Sequence, residues 1–278
     1  MEAWGRFRKH KPAMLGLVIL VAYVLVAIFA PVLTPHNPVR QDLIQSLETP
    51  GATFWLGTDH LGRDVLTRIL YGTRISLFIG IAAVAVGMVI GIPLGVISGY
   101  YGRGADMVIQ RVADIMFAFP AILLALALVA VLGIGLGNVI VAVGVGIVPI
   151  FIRLVRGQVL AVREEAYVDA ARAIGARDLR ILVRHVLANS WAPIIVQATV
   201  SIGITILVAA GLGFLGLGVQ APTPEWGSML GEGRNYIYSH PHMTTFPGLA
   251  IFLAVIAFNL MGDGLRDALD PRLRALEA

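Results

Sequence analysis

The chain contains no cysteine. That absence excludes disulfide frameworks, thiolate metal sites and cysteine nucleophiles together. Lysine is almost missing as well, Lys9 and Lys11 being the only two. A P-loop sets the lysine of GxxxxGKS/T against nucleotide phosphates, and neither lysine lies in such a motif, so the chain is not a conventional P-loop ATPase. There is no HExxH metal motif and no GxSxG nucleophile elbow, which leaves zincin and serine-hydrolase chemistry without support. No period of 20–50 residues repeats, so a solenoid or propeller is not indicated. Charge is scarce, at 14% of residues against roughly a quarter in soluble domains.

Apolar residues fill the space that charge leaves. They make up 58% of the chain, with a mean hydropathy of +0.83. So apolar a surface belongs in lipid, and the chain reads as an integral membrane protein. The same figures exclude intrinsic disorder, which needs low hydrophobicity and high net charge.

A membrane span takes about 20 apolar residues. Six candidates are found at 13–33, 75–98, 115–132, 139–152, 193–217 and 246–261, with five as the alternative count. The fourth and sixth are short, and Pro120 lies inside the third. The first follows Arg6, Arg8, Lys9 and Lys11, but it exceeds a signal-peptide core and more spans follow, so it reads as a retained helix.

The pI near 9.7 and net charge of +4 raise the question of nucleic acid. The placement of the basic residues answers it. Sixteen of the 21 fall in segments on one side of the spans: the N-terminus, Arg103 and Arg111, the loop after the fourth span, and the tail. By the positive-inside rule both termini are expected in the cytoplasm, and topology explains the charge without nucleic acid. The expected organisation is a cytoplasmic segment 1–12 and one membrane domain, 13–278. That domain has an external segment 34–74, a cytoplasmic loop 153–190, an external loop 219–245 and a cytoplasmic tail 264–278. In segment 34–74, Thr58 or Asp59 is the expected cap of a helical stretch.

Gly87, Gly91, Gly95 and Gly99 recur every fourth residue, which puts them on one helix face for close helix packing. Pro93 on the same segment is expected to kink it. The crowding of Gly211, Gly213, Gly216 and Gly218 suggests a helix end or a broken segment. Asp114 and Asp263 lie near span ends and the span centres are almost free of charge, which counts against a self-sufficient ion-coupled carrier.

The loop 153–190 is the most informative stretch. It reads as two amphipathic helices, 164–174 and 177–187, joined at Gly175, a residue suited to positive φ. Ala166, Ala170, Ala173 and Ile174 are expected on the apolar face of the first, and Leu179, Leu182, Val183 and Val186 on that of the second. Such a pair lies on the membrane surface or inserts into a groove on a partner.

Asp169-Ala170-Ala171-Arg172-Ala173-Ile174-Gly175 resembles the EAA loop of permease subunits in bacterial ABC importers, with Asp for the usual Glu. Val186-Leu187-Ala188 stands where that family has an Ile-Leu-Pro-like segment, with alanine for proline. The likeness covers nearly the whole chain. The stretches LGTDHLGRDVL (56–66), FLGLGVQAPTPEWGSM (214–229) and FNLMGDGLRDALDPRL (258–273) resemble the C-type permease of the dipeptide, oligopeptide and nickel group.

The resemblance implies an all-α type I importer permease in the bacterial inner membrane, non-catalytic in itself. It would be paired with a homologous permease, two cytoplasmic ATPase subunits that bind ATP and Mg, and an extracytoplasmic binding protein. It also implies that Asp169, Ala170, Ala171, Gly175, Arg177, Val186 and Leu187 form the contact with the ATPase. No cofactor is expected in this chain, and nothing marks substrate-contacting residues. Trp226 and Gly227 lie in an external Pro-Thr-Pro-Glu-Trp-Gly turn, where an interfacial anchor or a contact with the binding protein is expected. His240 and His242 share that loop with Glu225 and Glu232, where, given such loose spacing, a solvated polar loop is the expected reading over a nickel or zinc site.

Overall fold

A computed structural model describes residues 2–269. The last nine residues of the expected tail, with Arg272 and Arg274, lie outside the described residues. Among those described there is no β-strand, only an isolated bridge between Thr58 and Asp64.

A short helix α1 (Glu2–Lys9) precedes α2 (Lys11–Leu33). His10 caps α2, its Nδ1 accepting the Ala13 amide at 3.1 Å. The third helix, α3 (Val65–Tyr101), has 37 residues. Its cap is Asp64, whose carboxylate accepts the Thr67 amide at 2.9 Å, and not Thr58 or Asp59 as the sequence suggested. Thr58 is instead committed to the preceding loop, where it bonds Gln45 and Glu48. The helix runs through Pro93 as a single element.

The third expected span is not one helix. It divides into α4 (Arg103–Phe117) and α5 (Ala121–Leu132), bent by 95°. Pro120 stands at the break, as the N-cap of α5. Proline has no amide to donate and biases the preceding residue away from α geometry. The 12 residues of α5 rise only about 18 Å, short of the hydrocarbon thickness.

The turn Gly133–Gly135 uses positive φ at both glycines and leads to α6 (Leu136–Val162), far longer than the fourth expected span. Arg153 and Arg156 continue it because each has an acidic partner, Asp114 at 2.6 Å and Asp106 at 2.5 Å. Two short helices, α7 (Ala166–Ala173) and α8 (Asp178–Ile181), lead through a π-helical turn, Leu182–Leu187, into α9 (Ala188–Phe214). After α9 come α10 (Trp226–Gly233) and α11 (His242–Leu269). Helix α11 is longer than the sixth expected span at both ends. Among the described residues, five helices are thus long and apolar enough to cross a membrane, or six spans if α4 and α5 count as one.

The bundle is built around α3 and α6. In lipid, helix association rests on close van der Waals contact, and the glycine stripe provides it. A Cβ at Gly87 would stand 2.6 Å from Ile147, one at Gly91 2.6 Å from Phe151, and one at Gly99 2.8 Å from Val159. Gly95 faces the Ile152 carbonyl and Val155. All four glycines therefore face α6. The apolar window of α6 is 56% buried and that of α2 only 22%, which makes α6 central and α2 peripheral.

Candidate functional site: the helical loop between α6 and α9

Helix α7 closes in a Schellman motif. Gly175, at φ +80°, donates to the Arg172 carbonyl at 2.9 Å, and Ala176 donates to that of Ala171 at 3.0 Å. Positive φ is cheap only for a residue without Cβ. The reversal folds α8 back beside α7.

The inner face of the loop carries Val168, Ala171, Ile181, Leu182 and Val186, packed on Val96 of α3, Val155 and Val159 of α6 and Ile194 of α9. The apolar face expected for the first helix is therefore corrected. Ala166, Ala170, Ala173 and Ile174 point outward, Ile174 being 86% exposed, and Val168 with Ala171, three residues apart, does the packing. In the second helix Leu182 and Val186 are buried as expected, but Val183 is exposed.

Polar ties fix the loop from the sides. The Tyr100 hydroxyl donates to Asp178 at 2.6 Å, and the Arg172 guanidinium lies 6.0 Å from the centroid of the same tyrosine ring. Arg163 donates to the Gly99 carbonyl at 3.1 Å. Asn189 donates to the Tyr167 hydroxyl at 3.2 Å, whose pKa is raised by partial burial and by the charge of Glu165. Just beneath, Asp106 accepts both Nε and Nη2 of Arg156 and the Ser98 hydroxyl. Helices α3, α4 and α6 meet at that carboxylate.

Asp169, Ala170, Gly175 and Arg177 lie on the exposed side of the loop. Ala171 and Val186 are buried and Leu187 is half-buried. Ala171 and Val186 hold the loop in place and cannot themselves be surface contacts, because their side chains are spent on its own core. The outward surface instead includes Ile174 and Val183, which the sequence placed on the apolar faces, together with Arg180 and Arg184. Gly175, Ala176, Arg177, Arg180, Val183 and Arg184 line a concavity of about 600 Å³. The spacing of the three arginines, i, i+3 and i+7, was a readable sign of one helix face.

A second set of charges sits at the opposite end of the bundle. Arg63 and Arg68 are each 1% exposed and clamp Asp59 and Glu232, with Arg63 at 2.6 Å from both carboxylates and Arg68 at 3.0 Å from Glu232. His60 completes a group whose ligand atoms could surround a metal ion. The carboxylate oxygens, however, already carry guanidinium groups, which repel a cation. The i, i+4 pair Asp59/Arg63 was the signal in the sequence. Nearby, Trp226 is fully buried, its Nε1 donating to the Ile69 carbonyl at 3.1 Å and its ring tilted against Tyr23 at 5.5 Å. Gly227 lies against the Ala210 backbone, with no room for a Cβ. The expected exposed role of these two residues is corrected: they pack α10 onto α3 and α9. Glu225 caps α10 through the Gly227 and Ser228 amides, each at 2.8 Å. Burial pushes its carboxyl above the usual range, while those amides and the Ser228 and Ser76 hydroxyls pull it down.

Residues 91–275 match the family described as binding-protein-dependent transport system inner membrane component. The chain belongs to that family. Residues 1–50 also match the N-terminal TM domain of oligopeptide transport permease C. The chain is 52% identical over 274 residues to the dipeptide transport system permease protein DppC of Alkalihalophilus pseudofirmus, covering 99% of this chain and 90% of that protein. It is 50% identical over 276 residues to the glutathione transport system permease protein GsiD of Pectobacterium atrosepticum, covering 99% of this chain and 91% of that protein. The fold is similar to a chain of the inward-facing MetNI methionine ABC transporter, with a TM-score of 0.60 at 21% identity over 74% of this chain and 98% of that one. This member of the family is thus an all-helical, multi-pass inner-membrane permease with the ABC importer permease fold.

Proposed function

We propose that the chain is the membrane-spanning subunit of an ATP-driven importer for dipeptides and oligopeptides. It forms the translocation path together with a homologous permease. ATP and Mg are bound by two separate ATPase subunits, and an extracytoplasmic binding protein delivers the substrate. The loop between α6 and α9 docks in a groove on an ATPase subunit, in the helix-in-groove manner.

The observation that carries this reading is the two-sided build of that loop. Its inner face is packed on α3, α6 and α9, so a push on the loop is transmitted to the spans. Its outer face leaves Ile174 and Val183 uncovered beside Arg177, Arg180 and Arg184, an apolar and basic surface suited to a protein partner. The basic residues of this end also favour its placement in the cytoplasm, with both termini there. The peptide assignment draws on the names of the relatives. Glutathione, itself a tripeptide, is the second reading, favoured by the 50% identity to GsiD.

The test is affinity purification of the chain from membranes, followed by uptake in cells lacking it. Expected are co-purification with an ATPase, loss of that association in Val183→Asp, and restored uptake of a labelled dipeptide by the wild-type gene. A chain that never associates with an ATPase would overturn the importer reading. Restored uptake of glutathione alone would replace the substrate assignment.

A further inference from the structure

Helix α1 is docked on the bundle. Phe7, 5% exposed, packs with Ala13 and Ala268. The notch that receives it exists because residue 264 is glycine: a Cβ there would collide with Ala13 and stand 3.1 Å from the Phe7 ring. His10 closes the corner, with Nδ1 accepting the Ala13 amide and Nε2 3.4 Å from the Asp267 carboxylate. Trp4, three residues before Phe7 and stacked on it at 5.7 Å, lies on the flank of the same face and is 54% exposed. Arg8 and Lys9 are exposed beside it, and Lys11 follows.

This corner sits at one defined level. The charge-free stretch of α2 begins at Ala13, and α11 turns charged at Asp263, Arg266 and Asp267. That level is the boundary between water and hydrocarbon. Tryptophan concentrates there, and a helix with one apolar and one basic side lies in that plane. Both lysines of the chain belong to this corner. Cations at a membrane surface attract anionic lipid over a Debye length.

We infer that α1 and the α1–α2 corner form a docking site for an anionic phospholipid of the adjoining leaflet. Arg8, Lys9 and Lys11 face the headgroup phosphate, and Trp4 lies among the glycerol backbones.

Gly5 allows a direct test, since no heavy atom lies within 4 Å of where its Cβ would stand. Gly5→p-benzoylphenylalanine is introduced into the full chain in its transporter complex. The complex is reconstituted in nanodiscs of equal parts phosphatidylglycerol and phosphatidylcholine, irradiated, and the adducts identified by mass spectrometry. Phosphatidylglycerol adducts are expected to exceed phosphatidylcholine adducts several-fold, and the excess to vanish in Arg8→Gln/Lys9→Gln. Should that double variant fail to assemble, the preference of the probe chain with its native charges is followed against salt, where it must fall. Adducts in the bulk lipid ratio, a preference indifferent to salt, or capture of a neighbouring subunit in place of lipid would each overturn the inference.

Discussion

The Tyr100 hydroxyl donates to the Asp178 carboxylate across 2.6 Å, joining the last turn of α3 to the first residue of α8. The helix with the glycine stripe and the loop are therefore tied by a side-chain bond as well as by packing. Tyr100→Phe removes that bond and leaves the ring under Arg172. For an exposed hydrogen bond the loss is about 0.5–1.5 kcal/mol. Hydrogen exchange of residues 166–187 should quicken several-fold, while the amides of α6 keep their protection.

Gly175 sets the reversal between α7 and α8 at φ +80°. Gly175→Pro can neither reach that angle nor supply the amide now bonded to Arg172. The chain should still insert and assemble, because nothing stands within 4 Å of a Cβ at Gly175, but ATP hydrolysis should become uncoupled from uptake. Gly175→Asn, which tolerates positive φ better, should lie between the two. Normal uptake by the proline variant would remove the loop from the coupling path.

The glycine stripe is tested by contrast. Gly91→Val adds bulk where even a Cβ would be 2.6 Å from Phe151, and overpacking of this kind costs about 1–3 kcal/mol. Gly157 on α6 has nothing within 4 Å, so Gly157→Ala should be neutral or gain up to about 1 kcal/mol of helix propensity. Thermal unfolding of the detergent-solubilised protein should place Gly91→Val several degrees below the parent and Gly157→Ala at or above it.

Glu232 takes charge from two buried arginines at once. Glu232→Gln leaves both cations short of a counter-charge, and breaking a buried pair costs about 3–5 kcal/mol. A large drop in the yield of folded protein is expected. Glu164→Gln, an exposed carboxylate whose partner Arg163 is only half-buried, should have almost no effect on stability.

Glu225 gives a pH dependence of definite sign. Burial raises its folded pKa above the unfolded value, so between the two the folded state holds the proton more firmly. Its contribution to stability is greatest below the ordinary carboxylate range and is lost as pH rises through the raised value. Glu225→Gln, uncharged at every pH, should flatten that part of the profile of unfolding temperature against pH. An unchanged slope would mean that Glu225 does not titrate in this range.

Much of this architecture was legible in the sequence, because lipid imposes long apolar runs and glycine spacing imposes a packing face. The position of Gly175 and the ends of α9 at Gly211–Gly216 could be read for the same reason: only glycine relieves those local constraints. What could not be read depends on contacts between distant segments. Val168 and Ala171 became the inner face of α7 because Val96 and Val155 lie there to receive them. The short polar turn around Trp226 reads as surface, and only the approach of Ile69 and Tyr23 buries the ring. The split at Pro120 was visible as a proline, but its 95° bend follows from the way α4 and α5 pack separately against α6.

The π-turn at Leu182–Leu187 joins α8 to α9 without a break at Ala188. From Asp178 to Phe214 the backbone is one rod of roughly 50 Å at helical rise. A rod of that length is a lever: a tilt of about 5° about its middle swings each end by about 2 Å. The far end is Gly213, seated against Glu225 and Ser228. One continuous helical run therefore joins the loop at one end of the bundle to the Glu225 region at the other.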